Sequence, residues 1–254
     1  MSTVCSLMIK PMNDRICQIK LQLENFVLAD PDISGVCRTD YMQVTGGVAN
    51  SGGVPTICGS NTGQHLIYSA IPNFPARLSV VVDNQVSFSR QWRIRITQHQ
   101  CDAPELAPEG CLQYLTGISG NISSFNWKRE DNMNGATFSN HLANLRYSVC
   151  VRRESGYCSI EWGVGTSVED QTGYFSLSGP LPVSSSTNTP LTVSSNDVEI
   201  GDTDCQEDFV TIPQGWGGTD PNNALYNRDR YCGQAFGYCT DSSCTSREIG
   251  VVRY

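Results

Sequence analysis

The chain is short of positive charge. Only 17 of its 254 residues are Lys or Arg, against 25 Asp or Glu, and the formal net charge is -8. The basic residues are scattered rather than grouped. A nucleic-acid groove needs clustered cations to displace phosphate counterions. A polybasic membrane contact needs the same clustering. Both partner classes are therefore argued against. No apolar run reaches the ~18 residues of a membrane-spanning helix. The start, Met1-Ser-Thr-Val-Cys-Ser-Leu-Met-Ile-Lys10, lacks the basic residues followed by an apolar stretch that a secretory leader requires. There are only three histidines, and no two cysteines stand as close as Cys-x-x-Cys, so a zinc site built from tight ligand pairs is disfavoured. No Gly-x-Ser-x-Gly elbow presents a nucleophile. No stretch keeps a helical period.

What the chain has in quantity is cysteine. The number is even, twelve, and they are spread along the whole length. Persistent disulfides form in oxidising compartments, so the reading is a secreted, disulfide-bonded protein. The missing leader is reconciled with secretion if this is a mature or excised piece of a longer precursor.

Strand patterns dominate. Cys17-Gln-Ile-Lys-Leu-Gln-Leu23 alternates strictly, with Ile19, Leu21 and Leu23 on one face. Leu78-Ser-Val-Val-Val82 and Trp92-Arg-Ile-Arg-Ile96 read similarly. Period-2 alternation puts one face in a core and the other in water. Gly46-Gly47, Ser51-Gly-Gly53, Pro72-Asn73 and Pro75 punctuate the runs. Many short strands with regular turns predict a sandwich or barrel.

The chain also repeats itself. Thr3-Val-Cys5 lies on Ser148-Val-Cys150, and Cys17-Gln-Ile19 on Cys158-Ser-Ile160. Cys37-x-x-Asp40-Tyr41 lies on Cys205-x-x-Asp208-Phe209, and Cys58-Gly59 on Cys232-Gly233. Four cysteines match in order in each half, too many landmarks for coincidence. With the repeat as warrant, the expected disulfides are Cys5–Cys17, Cys150–Cys158, Cys37–Cys58 and Cys205–Cys232. The remaining cysteines would pair as Cys101–Cys111 and Cys239–Cys244. The expected domains are 1–101, a disulfide-stiffened junction at 102–111 with two prolines, and 112–254. The second copy carries an insertion from Gly179 to Thr203, rich in Ser, Thr and Pro, which reads as an exposed loop.

These words resemble the CUB domain, and the closest similarity is to the paired CUB modules of secreted arthropod proteins. The carriers are Cys17-Gln-Ile-Lys-Leu, Pro55-Thr-Ile-Cys-Gly-Ser-Asn-Thr-Gly-Gln-His65, Cys111-Leu-Gln-Tyr, Ser124-Phe-Asn126, His141-Leu-Ala-Asn144, Tyr147-Ser-Val-Cys-Val-Arg-Arg153 and Asp229-Arg-Tyr-Cys-Gly233. The resemblance covers most of the chain. It implies all-β architecture: two antiparallel β-sandwich domains, disulfide-rich, without catalytic activity, that bind extracellular proteins or carbohydrates. It also implies a calcium ion at one end of many such sandwiches. Against that pattern, the first copy lacks the strands that precede the first cysteine pair. The second lacks an equivalent of Trp92 to Ile96. A missing strand leaves an open edge that a partner strand can fill.

Candidate sites follow. Asp40 matches the family's calcium aspartate, and Asp83 sits where its second aspartate falls. Calcium takes 6–8 oxygens, so a lone Asp on a turn is the plainer reading of either. Asp208, the match to Asp40, has no downstream aspartate to join it. Asn121-Ile-Ser123 is a glycosylation sequon. Trp216, in Gln214-Gly-Trp-Gly-Gly218, sits on a glycine-rich loop as a candidate contact residue. His65 and His141 belong to family-like words and read as structural; Trp92 and Trp162 read as core. The function expected is secreted, non-catalytic association with extracellular proteins, copies of itself included. Calcium- or glycan-dependent ligand binding, or a regulatory portion of a larger secreted protease, stay open beside it.

Overall fold

A computed structural model describes residues 2–47, 53–84, 87, 89–127, 141–163, 177, 198–200, 205–213, 229–233 and 248–253. The regular structure among these residues is all β. The chain divides into two compact units, Met1–Arg152 and Arg153–Tyr254.

The first unit holds β1 (Ser2–Ile9), β2 (Ile16–Val27), β3 (Tyr41–Thr45), β4 (His65–Ser69), β5 (Ala76–Asp83), β6 (Gln91–Gln100), β7 (Cys111–Leu115) and β8 (Ser148–Val151). Two antiparallel sheets, in the orders β1-β5-β3 and β4-β2-β6, enclose the core. The alternation read in β2 is realised: Ile19, Leu21 and Leu23 are buried. A register shift between Leu23 and Asn25 then changes the phase, so that Phe26 and Leu28 point inward too. From the facing sheet, Met42, Val44, Leu78 and Val80 close the core.

The second face of β2 and β4 is covered by the chain that follows β6. The Gln18 amide acts as a strand would: its Nε2 donates to Ala107 O at 2.6 Å, and its Oε1 accepts Ala107 N–H at 2.9 Å. Gln113 Nε2 donates to His65 O at 3.1 Å, and Tyr114 N–H donates to His65 Nε2 at 3.0 Å. Hence His65, Leu66, Ile67 and Tyr68 are all buried, two on each face of β4.

The same unit takes in residues assigned from sequence to the second domain. Phe125 and Leu142 are buried in its core. Asn126 N–H donates to Asn61 Oδ1 at 2.8 Å, and Asn126 Oδ1 accepts Ser60 N–H at 3.0 Å. A Cβ on Gly59 would stand 1.9 Å from Asn126 Oδ1, and Gly59 has φ +73°, so only glycine fits. The spatial division thus falls after Arg152, where the cysteine spacing suggested 101–112.

Four disulfides join described residues, and two match the expected pairs: Cys37–Cys58 and Cys205–Cys232. The other two correct the repeat-based pairing. Cys17 bonds Cys101, with Cα atoms 4.8 Å apart, where Cys5 was expected. Cys111 bonds Cys150 instead of Cys101, and Cys5 and Cys158 are exposed free thiols. The reason is the sheet. Cys5 and Cys17 lie on strands of opposite sheets, β1 and β2, which do not pair with each other. Cys17 and Cys101 instead follow the antiparallel register of β2 and β6, in which Ile16 faces Gln100. The 102–111 junction is therefore not closed on itself by a disulfide. Cys17–Cys101 and Cys111–Cys150 are 84 and 39 residues apart. Long loops of this kind are stabilised by roughly 4–5 kcal/mol each in the chain-entropy account.

In the second unit are β9 (Ser159–Gly163), β10 (Val198–Ile200), β11 (Val210–Thr211), β12 (Arg230–Gly233) and β13 (Glu248–Arg253). One sheet runs β10-β12-β11; the other pairs β9 with β13. By the repeat, β9 corresponds to β2, and β13 pairs with it antiparallel, as both β4 and β6 pair with β2. Trp216, Cys239, Cys244 and the insertion, except 198–200, lie outside the described residues.

Candidate functional site

Asp40 follows a turn at the start of β3, and it is fully buried. Its carboxylate accepts four N–H donors. Oδ2 accepts Ala29 N–H at 3.0 Å and Arg90 Nε at 2.8 Å. Oδ1 accepts Asp83 N–H at 2.9 Å and Arg90 Nη2 at 3.2 Å. Arg90 Nη2 donates again to Asp83 O at 2.7 Å. Burial alone would raise the Asp40 pKa, but the Arg90 guanidinium and the two backbone N–H groups together lower it.

Asp40 and the backbone of Asp83 thus meet around a guanidinium. A carboxylate has about four lone-pair positions, and here donors fill all of them. Asp83 contributes its backbone N–H and C=O to this cluster. These residues do not fit a calcium ion, which needs several free oxygens at one point. No group of three or more His, Cys, Asp or Glu side chains is gathered for a metal among the described residues. Asp208 is exposed. The signal that sequence reading missed is Arg90, fifty residues from Asp40 and within no motif.

A different feature presents itself for binding. β1 and β6 are terminal strands of the two facing sheets, and they border a shallow, open depression of about 530 Å³ lined in part by Leu7, Ile9, Met12 and Ile96. Residues directly opposite in an antiparallel pair share a face. Cys5, Leu7 and Ile9 of β1 therefore lie on the face of Val80, Leu78 and Ala76. Those β5 residues are buried, yet Leu7 is 51% exposed among the described residues. Trp92 on β6 was expected in the core and is 39% exposed instead. Val4 and Met8 are exposed on the opposite face of β1, and Met12 is exposed at the groove. A run of exposed apolar side chains on two neighbouring free edges is the pattern of an interaction site.

The remaining candidates are simply placed. Asn121 is exposed. Trp162 is half-buried, and Trp127 is 39% exposed. His65 is buried, and its pKa is pushed down to about 4, by desolvation first and by the Lys20 charge second. In the second unit, the Arg230 guanidinium stacks on the Phe209 ring at 4.4 Å.

No curated protein and no solved structure matches the chain. The model of the animal CUB domain matches residues 108–252. Its first part, up to Arg152, packs in the first compact unit, and the rest forms the second. With a CUB domain and four disulfides, the chemistry points to an extracellular setting and to a role in binding proteins or other ligands. No helix among the described residues is long and apolar enough to cross a membrane. The match spans more than half of the 254 residues, and the chain belongs to the animal CUB domain family.

Proposed function

We propose that this chain is a secreted, non-catalytic CUB protein that works by associating with extracellular proteins through the open edge formed by β1 and β6. Self-association by strand sharing is the simplest form of that reading. The observation that carries it is Leu7, whose side chain lies on the core-facing side of its sheet and is nonetheless half-exposed. Burying the exposed parts of Val4, Leu7, Met8 and Trp92 would favour association at about 25 cal/mol per Å² of apolar area. The free backbone edges add directional hydrogen bonds. Asn121 lies exposed in its sequon and is taken here as a glycan carrier.

Sedimentation of the glycosylated chain over a range of concentrations tests the self-assembly form. The wild type is expected to associate, and a Leu7→Lys, Met8→Lys variant to stay monomeric with an unchanged melting temperature. A wild-type monomer at every concentration overturns strand sharing between copies. The rival reading, calcium-dependent ligand binding, predicts that calcium raises the melting temperature and chelation lowers it. With the Asp40 carboxylate filled by Arg90, no shift is expected.

A further inference from the structure

Residues 108–152 are claimed by two parts of the molecule. They begin the stretch that matches the animal CUB domain, yet they pack in one compact unit with residues 1–101. The disulfides set the same block apart. Among the described residues, Cys17–Cys101 and Cys37–Cys58 close within 1–101, and Cys111–Cys150 closes within 108–152. None of the four disulfides among the described residues ties the block to the rest of its unit. What holds it there is non-covalent. Phe125 and Leu142 enter the core. Gln113 and Tyr114 bond His65, and Asn126 bonds Ser60 and Asn61. Ala143 N–H donates to Gly35 O at 2.8 Å. The covalent route between the two parts is the short stretch 102–106. Asp102, Pro104 and Glu105 are exposed there. Its backbone bonds are local, from Ala103 N–H to Gln100 O and from Leu106 N–H to Ala103 O. Its ion pair, Arg15–Asp102, is exposed on both sides, a kind that contributes little. Ala107, the next residue, is buried and bonded to Gln18, so it belongs with the block.

We propose that this interface also closes between two copies of the chain. Residues 107–152 of one copy seat on residues 1–101 of a second, and the reverse seating completes a two-fold dimer. The seat specifies its occupant. Gly59 leaves room for Asn126 Oδ1, which a Cβ there would approach to 1.9 Å, and Asn61 and His65 present acceptors to the block's own N–H groups. The block that fits is therefore this chain's own, and a second copy brings one. Every bond across the interface is remade, so exchange loses no contact. It costs the opening of each chain and the association of two. Whether the block folds back or reaches another copy is set by 102–106. Pro104 and Pro108 bias Ala103 and Ala107 toward extended backbone, which favours reaching outward. This goes beyond the proposed strand sharing, because it leaves the β1–β6 edge unused.

The test uses the full chain carrying Leu7→Lys and Met8→Lys, which removes association through the edge. In the first arm, residues 103–106 are deleted from this parent. A short, strained hinge cannot fold back and favours exchange. Sedimentation should then show a stable dimer that melts close to the parent temperature. A folded monomer would overturn the proposal. The second arm does not depend on that deletion. Asn61→Ala with Gln64→Ala weakens the seat, and Phe125→Ala with Leu142→Ala weakens the block. Neither variant alone can form an intact interface, in its own chain or between copies. Co-expressed with different affinity tags, the two should co-purify one to one. They should show a melting transition near the parent temperature, from the intact seat of one joined to the intact block of the other. Failure to co-purify, or co-purification without that transition, overturns the exchange. The outcomes separate from those of the strand-sharing test. A wild type that stays monomeric while the variants complement loses only strand sharing. A wild type that associates while the variants do not complement loses only the exchange.

Discussion

Asp40 shows how a single side chain changes role once its neighbours are known. In the sequence it is a loop-end aspartate with a claim on calcium. In the fold it is a buried anchor holding the start of β3, the end of β5 and the Arg90 segment together. Removing one partner of a buried pair leaves a stranded charge, which costs about 3–5 kcal/mol. Arg90→Ala should therefore lower the denaturant midpoint steeply at neutral pH and make stability less dependent on acid, because the Asp40 pKa rises once the guanidinium is gone and the gap to its unfolded value shrinks. His65 is the second titrating residue of interest. Its Nε2 accepts the Tyr114 N–H, so the folded protein holds it neutral, with a pKa of about 4 against an ordinary 6.5. The unfolded chain takes up that proton first as pH falls. Stability should then decline between pH 6.5 and about 4 and level off below. A drop of about 2 kcal/mol is expected once solvent screening is allowed for. Urea titrations at several pH values would show it, and His65→Gln, which keeps an acceptor, should flatten that part of the profile.

At the scale of elements, β2 and β1 stand at opposite ends of stability. β2 has hydrogen-bonded neighbours on both sides, β4 and β6, and its alternation was legible because burial on one face imposes the period. β4 was less legible: His65-Leu-Ile-Tyr68 is buried on both faces, and no alternation survives when both sides are covered. Among the described residues β1 has one neighbour, β5, and every residue from Ser2 to Met8 is exposed. Hydrogen exchange should therefore show the outer-edge amides of β1 exchanging fastest among the strands of the first unit and those of β2 slowest. Equal protection of the two strands in the isolated chain would mean that something already covers the edge.

For the molecule as a whole, the informative comparison is between two ways of cutting it. The sequence repeat places a junction at 102–111 and the family match begins at residue 108, whereas the contacts divide the chain after Arg152. Phe125, Asn126 and Leu142 explain the difference, because they are buried against Cys58, Gly59 and Asn61 or in the same core. A fragment of residues 1–152 should give a cooperative thermal melt. A fragment of residues 1–101 should lose several kcal/mol, since burying an aromatic side chain alone contributes about 1.5–3 kcal/mol. Near-uniform stability of the two fragments would show that the later segment adds nothing to the first core.

The amino-acid sequence alone determined the all-β character, the strands β2, β5 and β6 and the disulfide-bonded class. These follow from local alternation, turn residues and composition, all of which are written in consecutive residues. It did not determine which cysteines meet, which cation faces Asp40 or where one unit ends. Those depend on which strands become neighbours across a sheet and which segment covers each face, and residues 50 to 90 positions apart decide that only after the chain has folded. The half-exposed Leu7 and the free Cys5 of β1 came only from the fold.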